Sequence, residues 1–107
     1  MNELSQIIED FIQYGIRAYK KQWRNTEDGR RLDRHQEVEL PNDVKVSCWR
    51  ELAVYQMAKY LQEENLADVE VTLNGNDSTL DVTLKDEIEY IECMNKIKEF
   101  FTENNLE

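Results

Sequence analysis

The sequence predicts an α+β fold in which three helices pack on a small antiparallel sheet, in the order α-β-α-β-β-α. Three observations carry that expectation. Apolar residues return every three or four positions over residues 3–23, 47–65 and 87–103; they alternate with polar residues over 69–73 and 80–84; and an Asn-Gly step lies between those two alternating runs. At 107 residues the chain suits one domain, 1–107, around a single modest core.

The first helix rests on Leu4, Ile7, Ile8, Phe11, Gly15, Ala18 and Tyr19, a stripe widened by Ile12, Ile16 and Trp23, with Asn2 as its cap. From Asn25 the pattern stops. The polar run Asn25-Thr26-Glu27-Asp28-Gly29-Arg30-Arg31 has no apolar period, which predicts a mobile basic loop over about 25–35. A loop that only connects tolerates shortening with little change in stability, because closure entropy varies weakly with length.

Val38 and Leu40 then alternate with Glu37 and Glu39 up to Pro41, the pattern of a short half-buried strand that the proline ends. Residues 42–47 read two ways. Asn42 or Asp43 suits a helix cap, whereas Val44, Val46 and Cys48 alternate as in a strand; the helix start is the favoured reading. From Ser47 to about Asn65 the helix is well marked by Trp49, Leu52, Ala53, Val54, Met57, Ala58, Tyr60 and Leu61, which cover more than half its circumference. It should be the most buried helix.

Val69, Val71 and Leu73 alternate next, then Leu80, Val82 and Leu84, and Asn74-Gly75 supplies the positive backbone angles of a tight turn between them. A hairpin over 68–85 follows. Each of its strands has one apolar face, which a helical layer must cover. Asp86 and Glu89 form the capping box of the last helix, with Glu87 near its positive end, and Tyr90, Cys93, Met94, Ile97, Phe100 and Phe101 line its apolar side to about Glu103.

Charge is sorted by position. Residues 17–35 hold seven bases, Arg17, Lys20, Lys21, Arg24, Arg30, Arg31 and Arg34, against three acids, while residues 36–107 hold 17 acids against six bases. The whole chain carries −10. Such asymmetry governs solubility, steering and choice of partner rather than fold. No apolar run reaches the roughly 20 residues that span a bilayer, and the amino terminus lacks the pattern of a secretion signal, so a cytoplasmic, non-membrane protein is expected.

Familiar chemical signatures are missing from the sequence. Gly15, Gly29 and Gly75 are isolated, so neither type of phosphate-cradling glycine loop is present. The lone His35 cannot supply a multi-histidine metal site, and Cys48 and Cys93, 45 positions apart, read as reduced core residues. Around Asn74–Asp81 the spacing faintly matches one calcium-binding nonapeptide, but such units need stacked repeats. No cofactor and no enzymatic activity are expected.

Three functional readings remain. The first is a non-enzymatic inhibitor, or an immunity or anti-defence factor, whose negative face imitates nucleic acid toward a basic protein partner. Its candidate contacts are Glu63, Glu64, Asp68, Glu70, Asp77, Asp81, Asp86, Glu87, Glu89 and Glu92. The second is RNA or single-stranded DNA binding through Arg17, Lys20, Lys21, Arg24, Arg30, Arg31 and Arg34, interleaved with Tyr14, Tyr19 and Trp23. The third is an acidic chaperone or adaptor that forms a homodimer through exposed apolar helix surface; in the order of its elements the chain loosely resembles small acidic secretion chaperones.

Overall fold

The apolar run that begins at Trp49 becomes the central helix, against which nearly every other element packs. The computed structural model describes the backbone of residues 2–63, 68–83 and 87–103, with their side chains apart from those of 2–5, 87–90, 93, 100, 101 and 103. In chain order the elements are α1 (Asn2–Gln22), α2 (Glu27–Asp33), β1 (Val38–Leu40), a 3₁₀ turn (Pro41–Asp43), β2 (Val44–Val46), α3 (Trp49–Glu63), β3 (Asp68–Thr72), β4 (Thr79–Thr83) and α4 (Glu87–Glu103). The fold is α+β, with helices against small antiparallel strand pairs.

Helix α3 is buried on most of its surface, as its composition predicts: Leu52, Ala53, Val54 and Leu61 are fully inaccessible, and Met57 and Ala58 nearly so. Helix α1 packs on it through Ile8, Ile12, Gly15 and Tyr19, while β3, β4 and α4 cover other sides. Leu80 of β4 and Ile97 of α4 complete this core. Burial lifts the phenol of Tyr19 to about 12.

The predicted hairpin forms, with Asp68 opposite Thr83, Glu70 opposite Asp81 and Thr72 opposite Thr79, and Gly75 takes the expected positive angle, φ 56°. Leu84, Lys85 and the cap position Asp86 lie outside the described residues, as does the carboxylate of Glu89. The side chain of the proposed first cap, Asn2, is likewise outside them.

Two segments depart from expectation. The stretch read as a loop over 25–35 folds as α2 and is anchored by Leu32, which is 1% exposed. Thr26 caps it: the hydroxyl accepts from the Gly29 N–H at 2.9 Å and donates to the Trp23 carbonyl at 2.8 Å. Glu27 and Asp28 sit at its positive end and Arg30 and Arg31 at its negative end. A seven-residue helix with one apolar anchor is too short to show a period.

The second departure is residues 42–47, where the favoured helix start gives way to strand β2, paired with β1 so that Val38 faces Val46 and Leu40 faces Val44. Asn42 and Asp43 adopt left-handed angles, φ 68° and 61°, and turn the chain instead of capping a helix. Asparagine and aspartate suit both roles, so the choice falls to burial: in this pairing Val38, Leu40 and Val46 all enter the core. Among the described residues there are therefore four α-helices and two separate strand pairs. No helix of the described residues is long and apolar enough to cross a membrane.

Candidate protein-binding face

Strands β3 and β4 turn Val69, Val71, Leu80 and Val82 inward, and the two-residue period therefore sends Asp68, Glu70, Thr72, Thr79, Asp81 and Thr83 outward, all of them exposed. Three carboxylates and three threonines make up this outer face, without a single base. Glu70 and Asp81 stand directly opposite each other across the strand pair. Like charges in that relation destabilise a sheet, so the hairpin must be held by other contacts.

The holding contacts lie at its turn. Glu51, in the first turn of α3 and only 8% exposed, accepts from the Ser47 N–H at 2.7 Å, the Ser47 hydroxyl at 3.1 Å and the Gly75 N–H at 3.1 Å. Ser78, fully buried, accepts from the Asn74 N–H at 2.8 Å and donates to the Gly75 carbonyl at 2.7 Å. Arg50 reaches in from α3, its Nε donating to the Ser78 carbonyl at 2.8 Å. A buried carboxylate and hydroxyl and a partly buried guanidinium thus all find partners, and together they fix the turn to the centre of the molecule.

The same guanidinium clamps Glu9 of α1, with Nη1 and Nη2 donating to its two oxygens at 2.8 and 2.7 Å. These hydrogen bonds hold the Glu9 carboxyl down to about 2 against the opposing effect of partial burial, with help from the Gln13 amide. Arg50 is in turn pushed further above its ordinary value, chiefly by its hydrogen bonds to Glu9.

Of the acids singled out from the sequence, Asp68, Glu70 and Asp81 share the outer hairpin face, and Asp77 lies exposed in its turn. Glu63, at the end of α3, and Glu92, on α4, are exposed. Glu64 and Asp86 fall outside the described residues, as do the side chains of Glu87 and Glu89.

The basic segment is divided between elements. Arg17, Lys20 and Lys21 lie on α1, Arg24 in the connection, Arg30 and Arg31 on α2, and Arg34 at its end, all exposed. Arg30 pairs with Glu27 at 3.3 Å, and Arg31 sits 3.9 Å from both Glu27 and Asp28. Tyr19 is 6% exposed, and Trp23 packs edge-on between Tyr19 and Trp49, with ring centroids 6.1 and 6.4 Å apart. Tyr19 belongs to the core, and Trp23, partly buried, packs against it.

A cleft of about 380 Å³ between α1, α2 and α3 was not legible in the sequence; it brings Lys20, Asp33, His35, Cys48, Arg50 and Asn76 to one place. Asp33 accepts from the Trp49 indole N–H at 3.0 Å and Arg50 is held by Glu9 and Ser78, so two of its charged groups hold the fold together. Cys48 is a buried free thiol, and the Cys93 side chain is outside the described residues. Among the described residues, no three His, Cys, Asp or Glu side chains are grouped to hold a metal ion. No protein-family model matches the chain, and comparison with curated proteins and with solved structures likewise finds no match.

Proposed function

We propose that this chain is a small non-enzymatic binding protein that acts by stoichiometric contact, presenting the outer face of the β3–β4 hairpin to a basic surface on a protein partner, as an inhibitor or immunity factor does. The observation that carries this reading is the in-register opposition of Glu70 and Asp81 within a six-position face that holds no base. A cross-strand acid pair costs stability that a lysine at either position would recover, and a basic partner supplies the missing charge on binding. The turn network adds preorganisation, which lowers the entropy lost on docking. Repeated carboxylates on a firm scaffold also suit a partner surface built for phosphates, which favours proteins that handle nucleic acid.

The test is capture of partners from the native host by the wild type and by the double variant Glu70→Lys/Asp81→Lys, identified by mass spectrometry. Basic proteins held by the wild type, released steeply by salt and lost with the double variant are the expected result. Duplex DNA should compete for the same partners if the face imitates nucleic acid. Thermal unfolding separates lost binding from lost fold, since the double variant keeps a like-charged pair across the strands and should unfold close to the wild type. Unchanged capture by a folded double variant refutes the acidic-face reading.

A further inference from the structure

Helix α1 has a second surface beside the one it buries. Ile7, Phe11 and Tyr14 remain half-buried and, with Met94 of α4, line a shallow groove of about 350 Å³, with Asp10 and Arg17 also on its wall. One turn before Met94, Ile91 is 56% exposed, the large apolar side chain left to solvent among the described residues. An apolar strip bordered by charges is the usual dress of a docking surface.

The borders say what docks there. Asp10 and Arg17 are seven residues apart, which is two helical turns or about 10.5 Å along the same side of α1. Neither meets an opposite charge among the described residues: Asp10 accepts from the Gln6 amide at 3.0 Å, and the Arg17 guanidinium lies 5.9 Å from the Tyr14 ring centre. Along α1 the acids, Glu3, Glu9 and Asp10, all precede the midpoint, and the bases, Arg17, Lys20 and Lys21, all follow it. The helix dipole does not account for the inner pair, because its influence fades within the first and last turns and both residues lie further in.

A helix with that charge order complements itself when two copies lie antiparallel. A parallel pair sets acid against acid, whereas an antiparallel pair sets Asp10 of each copy beside Arg17 of the other, about a two-fold axis near Tyr14. We propose that this chain forms an isologous homodimer through α1, in which those two reciprocal ion pairs flank an apolar centre of Phe11, Tyr14 and Met94. A second copy is the occupant because the reciprocal charge order is a property of α1 itself. The surface is distinct from the β3–β4 hairpin, so the dimer stands or falls independently of the acidic-face reading.

Sedimentation equilibrium of the full chain, from low micromolar to several hundred micromolar, should show a reversible monomer–dimer equilibrium. Asp10→Arg alone and Arg17→Asp alone should each weaken it at least tenfold, because each places like charges in contact. Mixed in equal amounts, the two variants should regain the dimer, each now supplying the charge the other lacks. Both positions are exposed, and circular dichroism is the check that the variants remain folded. If either does not, Tyr14→Cys offers a second measurement, since a thiol near the two-fold axis should yield a cross-linked dimer under mild oxidation. A wild type that stays monomeric throughout, single reversals that leave the dimer intact, or a mixture that remains monomeric would each overturn the proposal.

Discussion

Arg50 grips Glu9 with both terminal nitrogens, at 2.7 and 2.8 Å, and so ties the central helix to α1 across 41 positions of sequence. The Arg50 side chain is 13% exposed and that of Glu9 is 40% exposed, which places the pair at the edge of the core. In that setting a bidentate contact retains part of its strength, and losing one partner leaves the other poorly solvated.

The pair sets a pH dependence. Glu9 is depressed from 4.5 to about 2 in the folded chain, so its contribution to stability is complete above 4.5 and is lost as pH falls through about 2. Glu9→Gln should cost about 1–2 kcal/mol near neutral pH, less than the roughly 3–5 kcal/mol of a fully buried pair because solvent screens the carboxylate. Urea unfolding of wild type and variant at several pH values should show the gap closing between pH 4.5 and 2. A gap that stays constant over that range would show that the Glu9 charge does not contribute.

Gly29 should resist substitution despite its place in a helix. A Cβ there would collide with the Trp23 carbonyl oxygen, a backbone atom that cannot step aside without moving the end of α1. Alanine, ordinarily the better helix former, should therefore cost about 1–3 kcal/mol by overpacking. A melting temperature equal to or above that of the wild type would show that the α1–α2 junction yields easily.

His35 should do the reverse. It follows α2 in the left-handed conformation, φ 57°, with its N–H bonded to the Leu32 carbonyl and the Gln36 N–H to the Arg31 carbonyl. That is the helix-ending motif in which glycine is usual, and a β-carbon strains it. His35→Gly should stabilise the chain by about 0.5–1 kcal/mol, read as a rise in melting temperature. A fall would mean that the imidazole makes contacts in the cleft that outweigh the strain.

Glu51 offers a test of how the hairpin is held. Glu51→Ala removes the acceptor for the Ser47 and Gly75 amides and should cost about 2–4 kcal/mol, since each stranded buried donor is worth about 1–3 kcal/mol. Hydrogen exchange should quicken first at Gly75 and across β3 and β4, ahead of α1. Uniform acceleration over the whole chain would place the effect on global stability instead.

Periodicity was legible wherever an element is long enough to repeat. The helices α1, α3 and α4 and the β3–β4 hairpin follow from apolar spacing and one Asn-Gly step, and the outward direction of Glu70 and Asp81 follows from the same two-residue period. Helix α2 was not legible because its anchor is a single leucine, Leu32, and its cap, Thr26, looks like any loop threonine until the Trp23 carbonyl comes beneath it. Strand β2 was hidden by the double aptitude of Asn42 and Asp43.

By itself, then, the sequence determined the fold class, the most buried helix, the main hairpin and the separation of charge along the chain, because each is written in residues close together. Only the tertiary structure decided that Arg50 bonds both Glu9 and Ser78, that Glu51 reaches Gly75, and that Lys20, His35 and Cys48 line one cleft. Those relations join residues many positions apart. Local preference is silent about them, and they are fixed by which apolar faces must be buried together and which buried polar groups must then find partners.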